Sequence, residues 1–136
     1  METQSPVERT LTQIDCARLK RLVSQSEPGA SGVIHELIES SDLVASDAVP
    51  ATVVTMYTQL MLQDITDARA HKLTLCYPDD AEPSQGFISV LSPLGASLLG
   101  LRVGDMAAWR TPLGQERTGR IVQLLFQPEA SGDYTT

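Results

Sequence analysis

Two histidines, two cysteines and seventeen acidic residues are the groups in this 136-residue chain best able to do chemistry. Nucleophilic catalysis needs a base within hydrogen-bond reach of a Ser or Cys. His35 falls inside an apolar periodic stretch and His71 in a hairpin turn, and neither is set beside a nucleophile. Cys16 and Cys76 are far apart, form no CxxC pair and share no metal-ligand spacing with histidine. Glu36, Glu39 and Asp42 follow one another at i, i+3 spacing, which reads as the solvated side of a helix rather than a metal site. Asp79, Asp80 and Glu82 crowd a turn rich in Pro and Ser and read as a hydrated loop. Asp105, in the turn Val103-Gly104-Asp105, is set to accept backbone N–H bonds. The chain has no phosphate loop, dinucleotide fingerprint, HExxH or GxSxG. No catalytic residue, metal ligand or cofactor is expected.

Charge narrows the partners. Ten basic residues against seventeen acidic give a net charge of −7, the wrong sign for a broad nucleic-acid footprint. It suits docking on a protein of basic or mixed charge. The few cations cluster as Arg9, Arg18, Lys20 and Arg21, then Arg102, Arg110, Arg117 and Arg120, enough for a local polar contact. No apolar run approaches the roughly 18 residues that span a bilayer. The polar start Met1-Glu2-Thr3-Gln4-Ser5-Pro6 lacks a signal-peptide pattern. A cytoplasmic protein with two buried thiols is therefore expected.

The positioning elements change character along the chain. Asp15 is placed to cap a first helix through Cys16, Leu19, Leu22 and Val23. Residues 24–31, with Pro28 and Gly29, must turn. Ser31 is placed to cap a second helix with the stripe Ile34, Leu37, Ile38 and then Leu43 or Val44. The pair predicts an antiparallel hairpin over 1–48, preceded by a short extended segment at Val7–Leu11. Ser46–Ala51 reads as a linker. From 49 to 136 short apolar runs predict strands: Val53-Val54, Gln59–Leu62, Lys72–Tyr77, Phe87–Leu91, Met106–Trp109 and Arg120–Phe126. Phe87, Trp109 and Phe126 are expected in the core. Pro93–Leu99 predicts one brief helix, begun at Ser92-Pro93 and ended at Gly100. The class is α+β: a short helical hairpin, then an antiparallel sheet with one short helix.

The stretch Leu91–Gly100 carries more apolar residues than a connecting helix requires, and its Ser-Pro opening holds the chain rigidly. Most of it reads as helix-on-sheet packing, with an exposed edge that a protein partner could grip as the second reading. Gln85–Gly100 with Val103-Gly104-Asp105 and Thr111–Gly114 resembles the C-terminal domain of the transcript-cleavage factors GreA and GreB. Asp15–Leu22, Val53–Met56 and the tail Gln127–Tyr134 resemble in particular the Rnk branch, the regulators of nucleoside diphosphate kinase. The likeness covers nearly the whole chain.

The resemblance implies a coiled-coil hairpin and an FKBP-like C-terminal domain. It implies docking on the rim of the RNA polymerase secondary channel through Leu91, Ser92, Pro93, Leu94 and Gly95, where cleavage factors carry Asn or Asp at the position of Leu91. A cleavage factor also delivers a pair of carboxylates on a long coil to hold a metal and orient water. The hairpin tip here, Gln25, Glu27 and Pro28, offers one acid, and helices of about ten to fourteen residues reach only about 15–21 Å. The expected activity is polymerase binding without cleavage, in competition with GreA and GreB and without sequence-specific nucleic-acid binding. The alternatives are true cleavage stimulation and, from the fold, peptidyl-prolyl isomerisation. The latter fits poorly with 4% aromatic residues scattered along the chain.

Overall fold

The computed structural model describes residues 9–25 and 32–132. The chain enters through a short strand β1 (Thr10–Thr12), two helices α1 (Gln13–Gln25) and α2 (Gly32–Ser40), and a strand β2 (Asp42–Val44) parallel to β1. Then come β3 (Gln59–Asp64), β4 (Ala70–Cys76), β5 (Phe87–Ser89), α3 (Pro93–Leu98), β6 (Met106–Arg110) and β7 (Glu116–Phe126). These five strands form one sheet in the order β5-β4-β3-β7-β6.

The α+β class holds, but the sheet is mixed rather than antiparallel. β5 runs parallel to β4, with Thr74 opposite Phe87 and Cys76 opposite Ser89. The cause is the path between them: two single-turn 3-10 segments, Pro78–Asp80 and Pro83–Gln85, carry the chain back along β4 so that β5 restarts opposite Thr74. The long strand β7 holds the rest together, pairing antiparallel with β3 and with β6.

α1 and α2 pack on one another, and α1 packs on the strands β1 and β2. Their apolar stripes supply Cys16, Leu19, Ile34, Leu37 and Ile38 to a core shared with Val54, Met56, Leu60, Leu75, Leu98, Leu99 and Ile121. Each such fully buried aliphatic side chain is worth about 1.5–3 kcal/mol. A backbone bond ties the two parts together, Thr10 N–H donating to Gly100 O (3.1 Å), and Gly100 N–H is itself held by Val54 O (2.9 Å). Arg9 Nη1 donates to the Ala96 and Leu99 carbonyls at 2.9 and 3.0 Å, so a cation closes the C-terminal end of α3.

Several local expectations need correction. Thr12, not Asp15, caps α1: its Oγ1 accepts from Asp15 N at 3.0 Å. Asp15 sits inside the helix and is buried. α2 stops at Ser40, where Ser41 Oγ donates back to Leu37 O at 2.6 Å. Leu43 and Val44 thus belong to β2, their strand fixed by the partner β1, and Leu43 is exposed. Asp42 likewise leaves the helix face that exposes Glu36 and Glu39. His71 lies in β4 opposite Leu62 instead of in a turn. Val53 and Val54 are buried but form only a single bridge, Val53 to Arg102. Phe87 and Phe126 are exposed, because both sit at strand ends beyond the core; Trp109 is half-buried against it. Cys16 and Cys76 are buried free thiols. Ser31, Glu27, Pro28 and Val7 lie outside the described residues. Among the described residues no helix is long and apolar enough to cross a membrane.

Candidate functional site

The Ser-Pro turn is built by its own side chains. Ser92 Oγ accepts from Gly95 N at 3.1 Å and donates to Ser89 O at 2.7 Å, so one hydroxyl both caps α3 and ties it to the end of β5. Ser89 Oγ accepts from Leu91 N at 3.1 Å, and Ser92 N donates to Ser89 O at 3.0 Å. Pro93 occupies the first helical turn, where its missing N–H costs nothing. Gly95 is forced by contact: a Cβ there would lie 1.9 Å from Ser89 O. Leu91 and Leu94 lean on the core, Ser92 is half-buried, Gly95 is buried and Pro93 is exposed. The five expected contact residues therefore form one rigid knuckle. Gln25, the last residue of α1, is exposed and borders a different cleft with Arg18, Arg21 and Tyr77.

Leu94 also forms a wall of an open cleft of about 600 Å³ on the sheet. Leu73 and Trp109 add apolar surface, and His71, Lys72 and Arg117 add cationic or titratable groups. At its floor Arg117 donates to Asp64, whose side chain is 7% exposed against 34% for the arginine. The Arg117 hydrogen bond holds the Asp64 carboxyl below its ordinary range, and Asp64 in turn raises Arg117. Sequence reasoning missed this pair. The signal was there: Asp64 follows Leu60 and Leu62 at period two, an acid on the inward face of a strand.

A second buried acid joins the helical part to the sheet. Asp15 Oδ2 accepts from Met56 N at 3.1 Å. Burial raises its pKa to about 6 against the opposing Met56 bond, with Glu129 adding repulsion. Glu129 itself accepts from Thr55 Oγ1 at 2.7 Å, and Thr55 and Thr58 share a hydroxyl contact at 2.9 Å.

None of these groups is arranged as a nucleophile with its base. His35 Nε2 lies 3.4 Å from Glu39 on the surface. The Cys76 thiol, raised by burial, donates to Ile88 O at 3.6 Å. Asp105 accepts from Arg102 N at 2.9 Å, the turn role expected of it. Among the described residues no three metal-ligating side chains cluster.

Comparison with known proteins decides the lineage. Residues 49–125 match the family described as "Transcription elongation factor, GreA/GreB, C-term". The chain belongs to the GreA/GreB family. Over 129 residues it is 32% identical to the regulator of nucleoside diphosphate kinase of Escherichia coli K12, covering 91% of this chain and 93% of that protein. The structure titled prokaryotic transcription elongation factor GreA/GreB from Nitrosomonas europaea superposes with a TM-score of 0.72 at 33% identity, over 90% of this chain and 100% of the other. GreA of Solidesulfovibrio magneticus is 42% identical over 73 residues, 53% of this chain but 44% of the relative. The GreA/GreB match spans the Ser-Pro knuckle and the cleft alike.

Proposed function

We propose that this GreA/GreB family member is a cytoplasmic, non-enzymatic transcription regulator that docks on RNA polymerase at the rim of the secondary channel. The knuckle Leu91–Gly95 makes the contact, residues 49–136 form an FKBP-like docking module, and residues 1–48 form a short coiled-coil hairpin seated on it. The observation that carries this reading is the knuckle itself: a proline exposed on a turn fixed by Ser89 and Ser92. A preorganised turn loses little freedom on binding, so its contacts convert to affinity efficiently. Regulation of nucleoside diphosphate kinase, the role in the name of the Escherichia coli relative, is part of this reading.

The arm sets the mechanism. α1 has 13 residues and so runs about 20 Å, and between Ser24 and Ser31 the sequence holds one acid, Glu27. A single carboxylate on a short arm does not supply the metal-holding pair of a cleavage factor. The protein occupies the docking position of GreA and GreB without stimulating cleavage. Equilibrium binding to core RNA polymerase is expected to be measurable and to weaken on Pro93→Ala and on Ser92→Glu, which puts a charge where the hydroxyl bonds Ser89 O. A clean assay with no interaction removes the reading.

A further inference from the structure

We infer that the outer face of the sheet is a self-association surface, on which a second copy of this chain packs about a two-fold axis. Strand pairing sorts the side chains between two faces. Leu60, Leu62, Leu75 and Ile121 point into the core shared with α3, so the neighbouring Gln59, Met61 and Thr74 point the other way. Register then aligns Phe87, Thr74, Gln59 and Phe126 in one row across β5, β4, β3 and β7. The pairing of β7 with β3 slips twice along this face. Phe126 lies opposite Gln59 but Leu124 opposite Leu60; Gln123 lies opposite Met61 but Ile121 opposite Leu62. The two extra residues, Leu125 and Val122, are each 41% exposed, with Phe126 at 47% and Phe87 at 38%. A regular strand would turn alternate residues inward, whereas these two bulges hold apolar side chains out.

The row is complementary to itself: across the strands it runs aromatic, polar, polar, aromatic. A two-fold axis along the strands, midway between β3 and β4, exchanges β5 with β7 and β4 with β3, which is an isologous contact between aligned sheets. It sets Phe87 of each copy on Phe126 of the other, and Thr74 on Gln59, so ring meets ring and hydroxyl meets amide. Charge selects the same face. Each copy carries −7, yet the row holds no charge, and in the next row, Lys72, Met61 and Gln123, only Lys72 is charged. Two acidic molecules meet here with little repulsion. Glu82, bridged to Phe87, stands exposed at the rim. Four strands at about 4.8 Å and six residues at about 3.3 Å give a footprint of about 400 Å² per copy. A standard interface buries about 800 Å² per partner, so the dimer is weak and forms at about 100 μM.

The test is sedimentation of the full chain from about 5 μM to about 1 mM, over which the average mass is expected to climb toward that of a dimer. Phe87→Lys and Phe126→Glu change exposed side chains, and each alone is expected to raise the dissociation constant at least about tenfold. Mixed in equal amounts, the two variants are expected to recover the dimer. Their introduced charges then meet across the axis while the other Phe87–Phe126 contact is kept. Pro93→Ala is expected to leave the mass unchanged, so this inference and polymerase docking fail separately. Dimerisation of Phe126→Glu at the parent's concentration would place the contact elsewhere and overturn the inference. A mixture no more associated than its components overturns the pairing of the row with itself. A parent that stays monomeric throughout overturns the inference outright, and weaker polymerase binding by Phe126→Glu would then assign the face to polymerase.

Discussion

Asp15 is a carboxylate kept where an amide would suit better. It is buried between Thr12, Met56 and Glu129, with Arg18 on its own helix offering only partial compensation. Its pKa rises from 3.8 to about 6, so between these values the folded chain holds a proton that the unfolded chain has released. The contribution of this group to stability is therefore greatest near pH 4 and falls as pH rises through 6. The shift corresponds to about 2–3 kcal/mol at neutral pH. Asp15→Asn keeps an acceptor for the Met56 N–H and removes the charge. It is expected to stabilise the protein by up to about 2–3 kcal/mol at pH 7.5 and to leave stability unchanged at pH 4. Urea denaturation of parent and variant at both pH values measures this; equal stabilities at pH 7.5 would show that the carboxylate is not strained. Gly95 makes the opposite case. With Ser89 O 1.9 Å from any added Cβ, Gly95→Ala must push α3 off β5, at a cost of about 2 kcal/mol or more. A lower urea midpoint together with weaker polymerase binding is the expected pair of results.

Among the elements, those legible in the sequence carry their signals locally. Ser92-Pro93 and Gly100 bracket α3 as a capping hydroxyl, a first-turn proline and a left-handed glycine with φ +83°, and Pro112-Leu113-Gly114 marks the turn between β6 and β7. The turn geometry of Leu91–Gly95 was legible for the same reason. What escaped depends on distant partners. β2 forms because Arg9 O and β1 await it, and β5 turns parallel because two 3-10 turns redirect it. Asp15 is buried because Met56 offers it an N–H from 41 residues away. The tail after β7 is a further case. Gln127 is buried, and its Nε2 donates to Pro50 O at 2.9 Å and Val53 O at 2.6 Å, pinning the linker ahead of the sheet. Gln127→Leu removes a donor from both carbonyls, leaving Pro50 O its bond from Val53 N–H, and is expected to cost about 2 kcal/mol. Hydrogen exchange should accelerate at the amides of Val53 and Ser131, both bonded within these turns; unchanged protection there would mean the tail is held by other contacts.

For the molecule as a whole, the short arm is not a free lever. α1 and α2 share one core with the sheet, and Arg9, Thr10 and Asp15 each bond across the join. Extending the arm toward a polymerase active site would mean breaking these contacts, including the burial of Leu11, Leu19 and Ile34. At about 1.5–3 kcal/mol for each side chain, that loss is comparable to the whole stability of a domain of this size. The arm therefore stays at its base, and under the docking proposed above its length limits what the protein can do. Added to a stalled elongation complex, the chain is expected to leave the transcript at full length. Added in excess before GreA, it is expected to slow the cleavage that GreA stimulates, and Pro93→Ala should lose that effect in proportion to its lost binding. Gel analysis of end-labelled RNA reads both outcomes: shortened transcripts with this chain alone would mean that the arm supplies catalytic carboxylates after all, and unslowed GreA would mean that the two proteins do not share a site.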